Sequence, residues 1–319
     1  LLAQVAGHTH VSRRMSEVHA TLEARFPGTG RVAVYREHLA IACRTFIESG
    51  YADPKFETEL TNGEDDKFWS SLTEALVYLR LCGRTFLPRT TRGVGPDFLL
   101  EVDGRRVWIE VICPAPSGVP ADWLQIQPNV ASAVPHEEIL LRWTSAIKEK
   151  TDRLVGSAHG RRGYLETGVV APEDAYVIAV NGCRLRHGPF PALTGISQFP
   201  YAAEALFPIG PYQLQIDRVS LQIVDRGHQH RVAVRKPSGA SVPTFAFLDP
   251  RAKPVSAVWA VDFNGGTSIG NVEPSAVIHN PNAVPALPYG FLPCDDEYAA
   301  RHLNDDELLF ERIGPAGEG

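Results

Sequence analysis

Asp97 and Glu110 are the two residues of this sequence whose types and spacing point most directly to chemistry. They flank a segment that reads as a tight β-hairpin: Gly95-Pro96-Asp97-Phe98-Leu99-Leu100-Glu101-Val102, then Asp103-Gly104, then the run from Arg105 to Ile112. Asp-Gly between two β-favouring runs is a strong signal for a two-residue hairpin loop. With Asp103 and Gly104 as that loop, Val102 pairs with Arg105, Leu99 with Trp108 and Asp97 with Glu110, and opposed residues share one face of the sheet. Glu101 opposite Arg106 and Leu99 opposite Trp108 favour the ladder, whereas two opposed carboxylates disfavour it unless a cation lies between them. A single break in an otherwise consistent ladder marks a candidate functional site.

Paired carboxylates suit Mg²⁺, a hard cation that keeps several waters and uses one or two protein carboxylates. Such an ion can acidify and orient a water and neutralise charge developing at phosphorus. Two residues extend the pair. Glu74 lies midway along an expected helix before the hairpin and offers a third acid. Lys150 lies on an expected helix after it, where Arg142, Ala146 and Lys150 repeat every four residues and share a stripe. A lysine in that position can steady an attacking hydroxide or bind a scissile phosphate. The plain alternatives are that Asp97 is a turn residue after Pro96, that Glu110 is a solvated edge position, and that Glu74 and Lys150 are ordinary exposed helix residues.

The elements that must position these residues follow from periodicity. Met15, Val18, Leu22 and Phe26, then Val34, Leu39, Cys43 and Phe46, recur at helical spacing around a Pro27-Gly28-Thr29-Gly30 break. A helix after Gly63-Glu64-Asp65-Asp66 carries Phe68, Leu72, Leu76 and Leu79 and stops at Gly83. A short strand at Thr85-Phe86-Leu87 leads into the hairpin. Beyond it a Pro-rich connection from Pro114 to Pro135 reads as a surface loop. His136 to Val155 reads as a helix with Ile139, Trp143, Ile147 and Leu154 on its apolar side. Ala175 to Val180 reads as an interior strand. Helices alternating with a mixed sheet predict an α/β layered core. In the last third, Val219–Val224 and Arg231–Arg235 flank Asp225-Arg226-Gly227 as an expected hairpin. Further strands are expected over Val255–Phe263 and Ala276–His279, with long loops from Phe190 to Pro211 and from Asn280 to Pro293.

Gly95-Pro96-Asp97 on one strand and Ile109-Glu110-Val111 on the next, between a Glu-bearing helix and a following helix and strand, resemble the PD-(D/E)XK nuclease superfamily. The resemblance covers roughly residues 64 to 180. It implies the αβββαβ core of restriction-endonuclease-like folds, with a mixed sheet. The chain would then divide into a helical N-terminal extension (1–62), the core (63–189) and a strand- and loop-rich C-terminal region (190–319). It also implies a hydrolase, an endonuclease or exonuclease, that cuts phosphodiester bonds of nucleic acid, with DNA the expected partner and Mg²⁺ or Mn²⁺ the cofactor. By position Asp97 and Glu110 would be the metal ligands and Glu74 the accessory acid. The superfamily lysine stands two residues after the second acid, where this chain has Ile112. Some members draw that lysine from the following helix, which makes Lys150 the expected replacement and Lys148 the second choice. Without one, the resemblance implies a nuclease fold that has lost catalysis and binds nucleic acid or protein.

Composition sets the remaining bounds. The chain has 319 residues, 44% hydrophobic and 21% charged, enough for one large domain or two smaller ones. No run is long and apolar enough to span a bilayer, and Leu1 to Gly7 is too short and lacks the basic flank of a signal peptide. The missing initiator Met implies that the natural start lies upstream. A net charge of −6 argues against nucleic-acid binding through overall positive charge. Residues 80 to 162 nevertheless carry twelve Lys or Arg against nine Asp or Glu, a local excess that could follow a phosphate backbone as readily as reflect chance. Cys43, Cys82, Cys113, Cys183 and Cys294 form no CxxC pair, so buried thiols in a reducing cytoplasm are expected, with neither disulfides nor structural zinc. His228 and His230 read as polar residues beside a turn, His279-Asn280-Pro281 as a strand end, and Asn264-Gly265-Gly266 as a turn.

Overall fold

Asp103 and Gly104 both take positive φ, 49° and 74°, the backbone of the type I′ turn whose twist matches two antiparallel strands. The turn joins β2 (Phe98–Val102) to β3 (Arg105–Ile112), with Val102 opposite Arg105, Glu101 opposite Arg106 and Leu99 opposite Trp108. The protein is described as a computed structural model that covers residues 15–88, 94–126, 129–188, 190–191, 193–303 and 308–313. Residues 1–14, including the opening read as too short for a signal peptide, lie outside the described residues.

Before the hairpin come α1 (residues 15–25), α2 (Arg31–Glu48), α3 (Phe56–Thr61), α4 (Asp65–Leu81) and the short strand β1 (Thr85–Phe86). Asp65 and Asp66 in the first turn of α4 and Arg80 in its last complement the helix dipole. After the hairpin come α5 (Ala121–Leu124), α6 (His136–Val155) and β4 (Ala175–Asn181). Pro135 precedes α6, Glu137 and Glu138 fill its first turn, and Gly156 with φ 88° ends it. The last third supplies α7 (Tyr201–Leu206), β5 (Ile209–Ile216), β6 (Ile223–His230), β7 (Ala233–Arg235), β8 (Ser241–Pro243), β9 (Ala257–Val261), α8 (Gly265–Ser268), β10 (Ser275–His279), β11 (Asp296–His302) and β12 (Leu308–Ile313).

Eight strands form one mixed sheet in the order β1-β2-β3-β4-β9-β10-β11-β12. β3, β4 and β9 run parallel at its centre, and β1 and β2 continue antiparallel on one side. β10 is antiparallel to β9, β11 parallel to β10 and β12 antiparallel to β11. Every residue of β4, β9 and β10 is buried, as central strands covered on both faces require. Leu99, Trp108, Tyr176, Ile178 and Val258 face Ile139, Trp143, Ile147 and Leu154 of α6. Phe98, Leu100, Ile109, Val177 and Trp259 face Phe46, Phe68, Leu72 and Leu76 of the N-terminal helices. The result is an α/β fold of helices on both faces of a large mixed sheet. Among the described residues no helix is long and apolar enough to cross a membrane.

Several sequence expectations are corrected. The turn expected at Asp225-Arg226-Gly227 is the middle of β6, which pairs with β5 around a connection at residues 217–222. The segment 231–235 does not pair with 219–224, because Ala233–Arg235 pairs with β8 instead. His228 and His230 are therefore strand residues far from that turn, with His228 Nδ1 against the Gly210 carbonyl. Asn264-Gly265-Gly266 opens α8, where the Asn264 side chain accepts from the Gly266 amide and closes a capping box with Thr267. The stretch from Phe190 to Pro211 contains α7 and the start of β5, and the Pro-rich connection contains α5. Val34 is exposed rather than on the buried side of α2. Cys82 is exposed, whereas Cys43, Cys113 and Cys183 are buried; among the described residues all five cysteines are free thiols.

Candidate active site

The carboxyl ends of parallel strands are where open α/β sheets gather ligand-binding groups. At that end of β3, Glu110 alternates with Val111, one pointing toward α6 and the other toward α4. Glu110 is 1% exposed and Lys150, from α6, 6% exposed, so neither is a solvated surface residue. Lys150 Nζ donates to Glu110 Oε1 at 2.8 Å, and Arg153 Nη1 donates to the same oxygen at 3.2 Å. Glu110 Oε2 is buried without a hydrogen-bond partner among the described residues. An orphaned carboxylate oxygen in a low-dielectric setting is costly unless a proton or a cation meets it.

Asp97 departs from the expected ladder. The paired register ends at Phe98 opposite Ile109, one residue short of it. Its carboxylate turns across the strand end, where Oδ2 accepts from the Val111 amide at 2.6 Å. That bond fixes the side chain beside Glu110 by a different route from cross-strand opposition. The turn before it rests on Gly95, whose φ of 112° strains any L side chain and whose added Cβ would come within 2.8 Å of Val169 Cγ1.

Charge couples the acids to one another. Loss of hydration is the largest cause pushing the Glu110 carboxyl up to about 7; Lys150 lowers it and the charge on Asp97 raises it further. Glu74 is also raised well above its ordinary range, first by loss of hydration and then by Asp97, with Lys150 opposing. Glu74 and Asp97 line a cavity of about 170 Å³ with Tyr51, Asp53, Glu59 and Gly95. Lys150 and Arg153 line a separate cleft of about 300 Å³ on the α6 side, together with Ile112 and Cys113. Asp66 and Glu149 share that cleft with the three basic residues Arg142, Lys150 and Arg153, and Glu110 lines neither opening.

Lys148, the second-choice lysine, is exposed and paired with Asp152 on α6. Sequence reasoning missed Arg153, Tyr164 and Tyr176. Arg153 had a signal, because it lies three positions after Lys150 on the same side of one helix. Tyr164 had none: it is held by backbone bonds from its amide to the Arg153 carbonyl at 2.9 Å and from Leu165 to Leu154 at 3.1 Å. Its hydroxyl is pushed up to about 12 by burial and then by the charge on Glu110. The other end of α6 is anchored too, by His136 Nε2 against Glu204 Oε2 at 2.8 Å. The helix that carries Lys150 is therefore pinned at both ends.

A second polar layer borders the site. Asn181, ending β4, donates to Thr73 Oγ1 and to the Phe263 carbonyl at 2.9 Å each, and its Oδ1 receives the Cys183 amide at 3.2 Å. The Cys113 and Cys183 sulfurs are 4.0 Å apart. Hydrogen bonding from Cys183 lowers the Cys113 thiol, while the same contact, followed by burial, raises Cys183. Among the described residues no three His, Cys, Asp or Glu side chains converge closely enough to form a metal cage. Comparison of the chain with protein-family models, with curated proteins and with solved structures finds no match.

Proposed function

We propose that this chain is a metal-dependent nuclease with a restriction-endonuclease-like core of the PD-(D/E)XK kind, hydrolysing phosphodiester bonds of nucleic acid. The observation that supports it is the placement of Glu110: bonded on one oxygen to Lys150, bare on the other, and beside Asp97 at the carboxyl end of a central strand. Two carboxylates are enough for Mg²⁺, which completes its shell with water and phosphate oxygens, so the lack of a three-residue cage fits this ion. Asp97 and Glu110 would hold it, and it would supply an acidified water and charge neutralisation at phosphorus.

The chain's own residues do the rest. Val111 N–H holds the Asp97 carboxylate in one orientation, and burial keeps Glu110 Oε2 away from bulk water. Lys150 balances the charge on Glu110 and is one of the residues lining the cleft wall on the α6 side, from which it would meet a phosphate oxygen. Arg153 is the second donor on that wall. Glu74, raised in pKa, can accept a proton at its carboxylate from a water in the acidic cavity.

One observation favours a second reading, a nuclease-like fold that binds nucleic acid without cutting it. Lys150 and Arg153 both spend their charge on Glu110, and Ile112 occupies the usual lysine position in the cleft wall. Incubation with DNA or RNA and Mg²⁺ or Mn²⁺ separates the two. The nuclease reading requires cleavage that disappears in Asp97→Ala and Glu110→Ala. Equal cleavage by both variants would refute the site, and binding without cleavage in any divalent ion would favour the second reading.

A further inference from the structure

A cleft of about 490 Å³ opens along α6 on the side facing the turn between β7 and β8. Arg142, Ser145 and Lys148 line it from the helix, and Lys236 and Ser238 from the turn. The turn is tied by Lys236 N–H to the Ala240 carbonyl and Gly239 N–H to the Lys236 carbonyl, both 2.8 Å, so Lys236 is held over the cleft. Arg142 and Ser145 also line the cleft that contains Lys150 and Arg153. Residues 142 and 145 lie on adjoining stripes of one helix, so the two openings form one trough along it.

The trough is basic and incompletely paired. Arg142, Lys148, Lys150, Arg153 and Lys236 line it against Glu138, Glu149 and Asp66, and Glu149 and Asp66 are already paired with Arg153 and Arg184. Lys148 is paired with Asp152. Arg142 and Lys236 have no carboxylate partner among the described residues, and Arg142 Nε is buried without any hydrogen bond. Partial burial of an unpaired guanidinium has a cost that an anionic ligand would offset. Hydroxyls of Ser145 and Ser238 are ready donors to phosphate oxygens, and among the described residues no aromatic ring lines the cleft to stack a base.

We infer that this trough is a phosphate-binding track for the sugar-phosphate backbone of a nucleic acid, with Arg142 and Lys236 as its contacts away from Glu110. The inference rests on the nucleic-acid reading above, but it does not require cleavage. Arg142 lies eight residues from Lys150, about 12 Å along the helix axis. That distance lies within a few nucleotides of one duplex strand, so one bound backbone can touch both. Contacts of this kind fix register and carry no sequence information, so the track is sequence-independent.

The test is fluorescence anisotropy with a labelled short DNA duplex in EDTA, comparing the full chain with Arg142→Gln/Lys236→Gln. Losing two phosphate contacts makes the slope of log affinity against log salt shallower by about two. Lowering salt from about 200 to about 50 mM then strengthens wild-type binding roughly twelvefold more than variant binding. A variant of the same charge change at a distance, Arg301→Gln/Arg312→Gln, is expected to keep the wild-type slope, and thermal melts confirm that each variant folds. An unchanged slope in Arg142→Gln/Lys236→Gln overturns the track, as does a wild-type chain that does not bind the duplex, or an equal loss in the distant control. A shallower slope in a chain that never cleaves supports the track and refutes only the nuclease reading.

Discussion

Lys150 reaches Glu110 across forty residues of chain and donates to its Oε1 at 2.8 Å, with both groups withdrawn from water. The pair joins the second strand of the hairpin to the helix after it, and Arg153 reinforces it on the same oxygen.

Breaking that pair from one side should cost more than removing it whole. Lys150→Met is expected to lower unfolding free energy by about 3 kcal/mol at a pH well above 7, since it strips a buried carboxylate of its main cation; the loss shrinks at lower pH, where Glu110, raised further without Lys150, takes up a proton. Glu110→Leu/Lys150→Met should recover most of that loss. Urea denaturation of the two single variants and the double variant gives the coupling directly.

The raised Glu110 carboxyl gives stability a defined slope with pH. Its folded value of about 7 lies above the ordinary 4.5, so between these values the native state holds more protons than the unfolded one. The stabilising contribution is complete below 4.5 and is lost as pH rises through about 7. Glu110→Gln has no such proton, so the difference in stability between wild type and variant should change across this window and be flat outside it. On the metal-site reading proposed above, Mn²⁺ would have to displace that proton, so its affinity should climb with pH up to about 7 and level off above it.

Gly95 holds the turn that delivers Asp97. Gly95→Ala combines a positive φ with a Cβ 2.8 Å from Val169 and should destabilise the fold by roughly 1–3 kcal/mol. It should also weaken Mn²⁺ binding at the proposed site, read by calorimetry, more than an exposed change such as Lys253→Ala does. Equal metal affinity in the two variants would detach Asp97 from this turn.

Thiol reactivity should separate the buried cysteines. Cys113 is lowered by its bond with Cys183, whereas Cys43 is pushed up to about 12 by burial. Iodoacetamide on the native chain, followed by peptide mass spectrometry, should label Cys113 before Cys183 and leave Cys43 until the protein unfolds. Labelling of Cys43 ahead of Cys113 would contradict the packing described.

The hairpin register and the span of α6 were legible because local signals agreed with the fold: Asp103-Gly104 fits a type I′ turn, and the apolar period of α6 matches its buried side. Burial of Glu110 and Lys150 was not legible, since a charged residue inside a protein has the same letter as one outside. Nor was the inward turn of Asp97, which depends on the Val111 amide left free at the end of the ladder. β6 was misread because Asp225-Arg226-Gly227 looks like a turn, and nothing local shows that β5 waits to pair with it. Tyr164 reaches the site only through the way its loop folds back on α6.

The parallel pairing of β4 with β9 has a practical meaning for anyone who wishes to dissect this protein. A fragment ending near residue 189 would keep Glu74, Asp97, Glu110 and Lys150 but leave the apolar strand β4 as a raw border, its amides and carbonyls open along one side. Such a border recruits other chains, so the shortened piece should aggregate when expressed alone. Supplying residues 190–319 as a separate polypeptide should rescue its solubility, because β9 would again cover that border.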